Sequence, residues 1–233
     1  MTAAVGRVPL GLLRLTRVLA RGLWNNSLMT TRRTFWTLGV AALCAALAGF
    51  WLARELDSSG PALASGTWLP RPKTIPDFHL TDNVGQPFAL HDLQGKPTLV
   101  FFGFTHCPDV CPTTLLQLAR VKKATPIAGL EVVFISVDPA RDTPPVVGLY
   151  VHAFDPDFIG LTGDNQAITR LAASFGVAVN KIDLPGGDYT MDHSAVVFLL
   201  NKQAQVTGIF TPPFDTAKIA EDISRAAPYL GKS

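Results

Sequence analysis

Apolar positions along the chain first form one unbroken block and then recur in short, separated runs. Residues 34–53 carry no charge over 20 consecutive positions, the length at which a helix crosses a bilayer core. From Ile75 onward the pattern changes character. Residues 78–80 and 87–90 are short β-like runs around the turn Asn83-Val84-Gly85, which predicts a hairpin. Residues 98–104 are apolar without alternation from Leu99 to Phe102, as in a strand buried on both faces of a parallel sheet, and residues 131–137 repeat that pattern. A shorter strand is expected over 158–161, and a final pair over 193–200 and 205–210, joined by Asn201-Lys202-Gln203-Ala204. Helical spacing of apolar residues marks 113–124, 144–154, 165–175 and 216–227. Alternation of strand and helix, closed by a strand pair and a last helix, predicts an α/β sandwich with a mixed central sheet. No internal repeat is visible.

These patterns divide the 233 residues into a basic segment 1–33, an apolar anchor 34–53, a linker 54–74 rich in Ser, Gly, Pro and Ala, and a folded domain 75–233. The linker composition cannot pack a core and reads as a tether. Trp36 and Trp51 stand near the two ends of the apolar block, where amphipathic rings favour the membrane interface. Arg32 and Arg33 precede the block, so its N-terminal side is expected in the cytoplasm and the folded domain across the membrane. An export signal is the competing reading, with Arg32-Arg33 and Phe35 as a twin-arginine motif and Ala46-Leu47-Ala48 as a cleavage site. The 20-residue block exceeds the usual signal core, which favours the uncleaved anchor. Met29 is an alternative start, which would make residues 1–28 an upstream extension; as written, they also resemble an organelle presequence. The expected location is a bacterial inner membrane, crossed once, with the domain in the periplasm. The alternative is a mitochondrial inner membrane with the domain facing the intermembrane space.

A net charge of +2 conceals an asymmetry: seven Arg and no acid precede Glu55, leaving 13 Lys and Arg against 18 Asp and Glu in the remainder. The folded part is therefore acidic, which excludes a nucleic-acid footprint. Three cysteines, one of them (Cys44) inside the apolar block, exclude a multi-disulfide framework.

Chemistry concentrates in FFGFTHCPDVCPTT, residues 101–114. Cys107 and Cys111 are spaced so that a helix would place both sulfurs on one face with Cα atoms roughly 6 Å apart, compatible with a redox disulfide or with shared metal ligation. The pair follows the end of a predicted parallel strand, where sites of such sheets collect. A helix N-terminus there is expected to lower a thiol pKa. Among five histidines, His193 in a loop before the last strand pair is the best third ligand. Two thiolates with one imidazole form a soft set that suits copper, whereas zinc ordinarily takes a fourth ligand. Asp138, Asp142 and Asp192 could orient a ligand, although Asp138 and Asp142 could equally cap the following turn and helix. His106, beside Cys107, is expected to support the site. Gly103 is expected to permit a tight turn before it, and Pro108 and Pro112 to restrict the loop. Phe101, Phe102 and Phe104 read as core.

The run FFGFTHCPDVCP resembles the signature of the Sco/SenC family. ISVDPARDTP, residues 135–144, resembles its second block and Asp192-His193-Ser194 its third, so that the likeness extends from about residue 76 to 230. It implies a thioredoxin-like domain, tethered to a membrane, that binds copper through Cys107, Cys111 and His193. It further implies a metallochaperone, not an enzyme, that supports assembly of the dinuclear copper centre of cytochrome c oxidase subunit II, with an upstream protein as copper donor. The alternative is a thiol-disulfide reductase that keeps the receiving cysteines of that subunit reduced. Two departures narrow the choice of relatives on the same fold. Thioredoxins carry CxxC and a Pro facing it, whereas here three residues separate the cysteines and no Pro lies between Gly186 and Asn201. Peroxiredoxins carry TxxC, whereas Thr105 stands only two positions before Cys107.

Overall fold

The computed structural model describes residues 36–52 and 60–231. Two compact units divide near Ser58 and Ser59. Of the first unit, residues 36–52 form a helix, α1, apolar around its whole circumference and exposed throughout. Such a helix needs a lipid or protein surface to cover it. The expected anchor at 34–53 lies partly outside the described residues, and among the described residues no helix is long and apolar enough to cross a membrane.

The second unit is built on a mixed eight-stranded sheet, in the order β1-β10-β9-β4-β5-β6-β2-β3. In chain order these are β1 (Gly66–Thr74), β2 (His79–Asp82), β3 (Pro87–Ala89), β4 (Thr98–Gly103), β5 (Glu131–Ser136), β6 (Ile159–Thr162), β9 (Val197–Leu200) and β10 (Gln205–Phe210). A separate two-stranded ribbon pairs β7 (Val179–Asp183) with β8 (Tyr189–His193). Helices α2 (Val110–Ala124), α3 (Pro144–His152), α4 (Asn165–Phe175) and α5 (Thr216–Ala226) complete the fold. α2 packs beside α5, α3 against β6, and α4 near β2.

Six consecutive buried residues make β4 the centre of the core, and its unbroken apolar run reflects cover on both faces. β4 runs parallel to β5, with Gly103 opposite Ser136, and antiparallel to β9, with Phe101 opposite Val197. The pairing dictates where function can sit. The loop after β4, the loop after β5 and the segment leading into β9 all emerge at one edge of the sheet.

Local signals explain the helix ends. Asp164 caps α4 by accepting from the Ala167 amide, and Gly176 ends it in the left-handed region at φ 81°. Asp215 caps α5 through the amides of Ala217 and Lys218. α3 starts at Pro144 behind Thr143, whose side chain makes no capping bond; neither Asp138 nor Asp142 is its cap.

Three expectations change. Residues 66–74, taken as part of a tether, form β1, an edge strand paired with β10; its Pro and Lys residues suit an edge and disguise it as linker. α2 begins at Val110, not Thr113, because Pro112 falls in the first turn, where its missing N–H costs nothing. His193 ends a strand of the separate ribbon instead of lying in a loop or opening β9.

Candidate metal centre

The edge where β4, β5 and β9 meet holds Cys107, Cys111 and His193. The chain leaves β4 at Gly103, and the Cys107 amide donates to the Phe104 carbonyl at 3.3 Å, closing a turn. Cys111 lies in the first turn of α2, fully buried, with its amide donating to Cys107 Sγ at 3.4 Å. His193 Nε2 stands 3.5 Å from Cys111 Sγ. Cys107 and Cys111 are free cysteines, with no disulfide between them. Among the described residues no group of three or more His, Cys, Asp or Glu is gathered closely enough to hold an ion as it stands.

Gly103 serves the site differently from the expected tight turn. A Cβ there would meet Cys111 Sγ at 3.0 Å and the Phe134 ring at 2.7 Å, so the missing side chain makes room for the buried thiol. The His193 ring packs edge-on against Phe101 and Phe104, with centroids 6.1 Å and 5.9 Å away. These core phenylalanines therefore also wall the imidazole. Its Nδ1 bonds the Ser194 carbonyl at 3.3 Å, which leaves Nε2 as the lone-pair nitrogen facing the thiol.

Burial pushes the Cys111 thiol well above its ordinary pKa; a backbone bond at Phe104 opposes the rise, while Cys107 and Asp142 add to it. The expected lowering by the helix N-terminus is thus overridden at Cys111, since α2 gives partial charge but the core removes water. Burial also holds His193 below its ordinary value, against the opposing pull of the Ser194 carbonyl and the Asp192 charge. Cys111 is accordingly protonated and His193 neutral at pH 7.

Two carboxylates of the β5–α3 loop face the two sides of the site. Asp142 is fully buried and accepts from the Thr105 amide at 3.0 Å, from the Thr105 hydroxyl and from the Ser136 hydroxyl. It thereby holds the segment that carries Cys107. Because the Thr105 hydroxyl proton goes to Asp142, its oxygen is free to accept from His106 Nδ1 at 3.1 Å. The His106 ring itself is half exposed. Asp138, also buried, accepts from Arg141 Nε and from the Tyr189 hydroxyl at 2.8 Å, on the ribbon that ends in His193. Asp192 points away on the exposed face of β8 and makes no hydrogen bond to His193.

Sequence reasoning passed over Arg141 and Tyr189, although Arg141 lies inside the second block; their pairing needs the ribbon, which the pattern did not reveal. It also passed over Tyr150, whose hydroxyl is buried without a hydrogen-bond partner among the described residues. Burial pushes that phenol's pKa up, with Cys111, Cys107 and Asp142 adding to the rise, so it lies within electrostatic reach of both sulfurs.

Comparison with known proteins adds independent findings. The SCO1/SenC family profile matches residues 68–228. The human protein described as SCO2 homolog, mitochondrial, is 35% identical over 187 residues, covering 77% of this chain and 69% of its own length. The crystal structure of Arabidopsis thaliana ScoI with copper bound superposes with a TM-score of 0.64 at 34% identity, covering 66% of this chain and 98% of that one. ScoI of Bradyrhizobium japonicum, likewise solved with copper bound, gives 0.60 at 40% identity, covering 65% and 98%.

Proposed function

Since the chain belongs to the SCO1/SenC family, we propose that it is a copper-handling assembly factor that carries one copper ion on Cys107, Cys111 and His193. The observation that carries this reading is the 3.5 Å separation of Cys111 Sγ and His193 Nε2, with Cys107 one turn away. Donors bonded to one ion at about 2.0 Å (nitrogen) and 2.3 Å (sulfur) stand roughly 3.5 Å apart at a tetrahedral angle. The two groups are already spaced for a shared ion. Cys107 completes the set once its sulfur turns from the Cys111 amide toward the same point. A neutral imidazole presents its lone pair without losing a proton, and the half-exposed Cys107 offers the side from which an incoming ligand can reach the metal.

On this reading copper is cargo. A set of only three donors leaves room for a ligand of the recipient to bind before one of the donors lets go, so the ion passes by stepwise ligand exchange and is never released to water. The recipient is the dinuclear copper centre of cytochrome c oxidase subunit II, and an upstream protein supplies the ion. α1 and the residues flanking it anchor the chain in a bacterial inner membrane with residues 75–233 in the periplasm, or in a mitochondrial inner membrane facing the intermembrane space. Its largely apolar, exposed surface supports anchoring. The paired free thiols favour one second reading, reduction of the recipient's disulfide: Cys107 attacks it, Cys111 resolves the mixed disulfide, and two electrons pass from the thiol pair to the recipient.

Copper titration of the reduced full-length chain separates the two. One copper per chain is expected in the parent, weakened by His193→Ala and abolished by Cys107→Ser with Cys111→Ser. Equal binding by all three proteins, or none by the parent, would overturn copper handling. Thiol exchange that persists in His193→Ala would then support the reductase.

A further inference from the structure

The β7–β8 ribbon brings His193 to the site with only partial packing: Val179 and Met191 lie half-buried against the core and the His193 ring rests on Phe101 and Phe104. It lies outside the main sheet, and no residue from 178 to 196 is fully buried. A solvent-open groove of about 530 Å³ runs between it and the loops after β5 and β6, lined by Asp138, Lys181, Tyr189 and Met191 among others. Elements with few buried apolar contacts open at low free energy unless something specific holds them. Here that something is polar. Apart from the approach of Cys111 to His193, the side-chain hydrogen bonds joining the ribbon to the rest of the fold among the described residues run through Arg141 and Asp138.

Arg141 Nη1 donates to the Tyr189 carbonyl at 3.0 Å and reaches Asp188 at 3.4 Å, while its guanidinium lies 3.7 Å from the Tyr189 ring centroid. Arg141 Nε is held by Asp138, and Asp138 also accepts from the Tyr189 hydroxyl. The contact is closed at both ends: one carboxylate fixes the arginine and the tyrosine that the arginine stacks upon. Planar stacking combined with a fork of donors is something arginine provides and lysine does not. Tyr189 opens the strand that His193 ends, so the latch and the imidazole sit on one rigid five-residue piece.

The geometry points to Arg141 as a positioning residue: with Asp138 and Tyr189 it latches the ribbon to the loop after β5, and so holds His193 over Cys111. The inference rests on the copper reading for its purpose, although the latch itself is a property of the metal-free chain. Closed, it keeps the imidazole on the metal; released, it lets His193 withdraw while both sulfurs stay, which would lower the barrier to handing the ion on.

Amide hydrogen exchange of the copper-free, full-length chain tests the latch, and copper release tests its consequence. Arg141→Gln is expected to speed exchange of residues 179–193 by about tenfold while β4 and β5 keep the parent's protection. Its copper complex should take on the absorption spectrum of His193→Ala and lose copper to a chelator about tenfold faster, since a lost ligand raises the off-rate. Tyr189→Phe, which keeps the ring stack but loses the bond to Asp138, should show a smaller shift in the same direction. Arg141→Lys should fail to restore the parent's behaviour. Asp222→Asn, which weakens the fold far from the ribbon, should leave the spectrum unchanged. Parent-like exchange in 179–193 for Arg141→Gln, or an equal rise in every strand, would overturn the latch. If the parent binds no copper, the copper reading fails, and exchange in Arg141→Gln and Tyr189→Phe still decides the latch.

Discussion

At the scale of single residues, the chemistry was visible in the sequence but its protonation was not. Two cysteines four apart and a histidine before an apolar strand announce a soft donor set by type and spacing. Nothing in the spacing says that Cys111 is in the core, and burial there outweighs the helix N-terminus. A pH dependence follows with a definite sign. A raised pKa keeps the Cys111 proton in place across the neutral range, and ligation requires the thiolate, so copper binding must expel that proton. His193, held below its ordinary value, is already neutral above about pH 6.5 and expels none. Loss of the Cys111 proton alone should therefore make apparent copper affinity rise at least tenfold per pH unit between roughly pH 6.5 and 8.5. Chelator competition with copper(I) at a series of pH values measures it. A flat profile would mean that Cys111 does not bind as a thiolate.

At the scale of elements, β4, β5, α4 and α5 were readable because each carries an unmixed signal: unbroken apolar runs for the two strands, apolar residues at helical spacing for the two helices. The β7–β8 ribbon escaped because it buries no residue fully, so no hydrophobic alternation marks it. Missing the ribbon concealed why the β5–α3 loop matters. Parallel pairing of β4 with β5 sets Gly103 opposite Ser136, so that the loop after β5 can bring Asp142 to the Thr105 amide just past the end of β4. The carboxylate accepts three bonds, with the half-exposed His106 ring 3.8 Å away. Asp142→Asn would turn one acceptor oxygen into an amide pointing at a donor, leaving buried partners unmatched. A loss of about 2 to 3 kcal/mol is expected. The urea midpoint should fall with the slope unchanged, and the reduced protein should still fold. A midpoint within error of the parent would show that Asp142 does not hold the cysteine segment.

At the scale of the whole folded unit, the largest gap between sequence and structure lies at residues 60–74. Their Ser, Gly, Pro and Ala content describes a tether, yet Gly66–Thr74 adds an edge strand to β10, and the approach to that strand is pinned by a residue more than 150 positions away. Asp222 of α5, fully buried, accepts from the amides of Ala64, Ser65 and Gly66 and from the Ser65 hydroxyl. One carboxylate thus joins the beginning of the unit to its last helix, a long-range pairing that no local pattern encodes. Burial alone would raise its pKa, but these hydrogen bonds outweigh that and leave it below the ordinary value. A depressed folded-state pKa means that the unfolded chain takes up the proton first as pH falls. The stabilisation is therefore complete above the unfolded value of about 3.9 and disappears as pH drops through the lower folded one. Asp222→Asn should cost about 2 kcal/mol at pH 7. It should also remove this carboxylate's share of the acid loss, so that parent and variant stabilities converge as pH falls below about 4. Denaturant unfolding at pH 7 and at pH 3 measures both. A gap of constant size at the two pH values would mean that the bonds to residues 64–66 do not depend on the charge, and no gap at either pH would mean that the edge strand is held by its pairing with β10 alone.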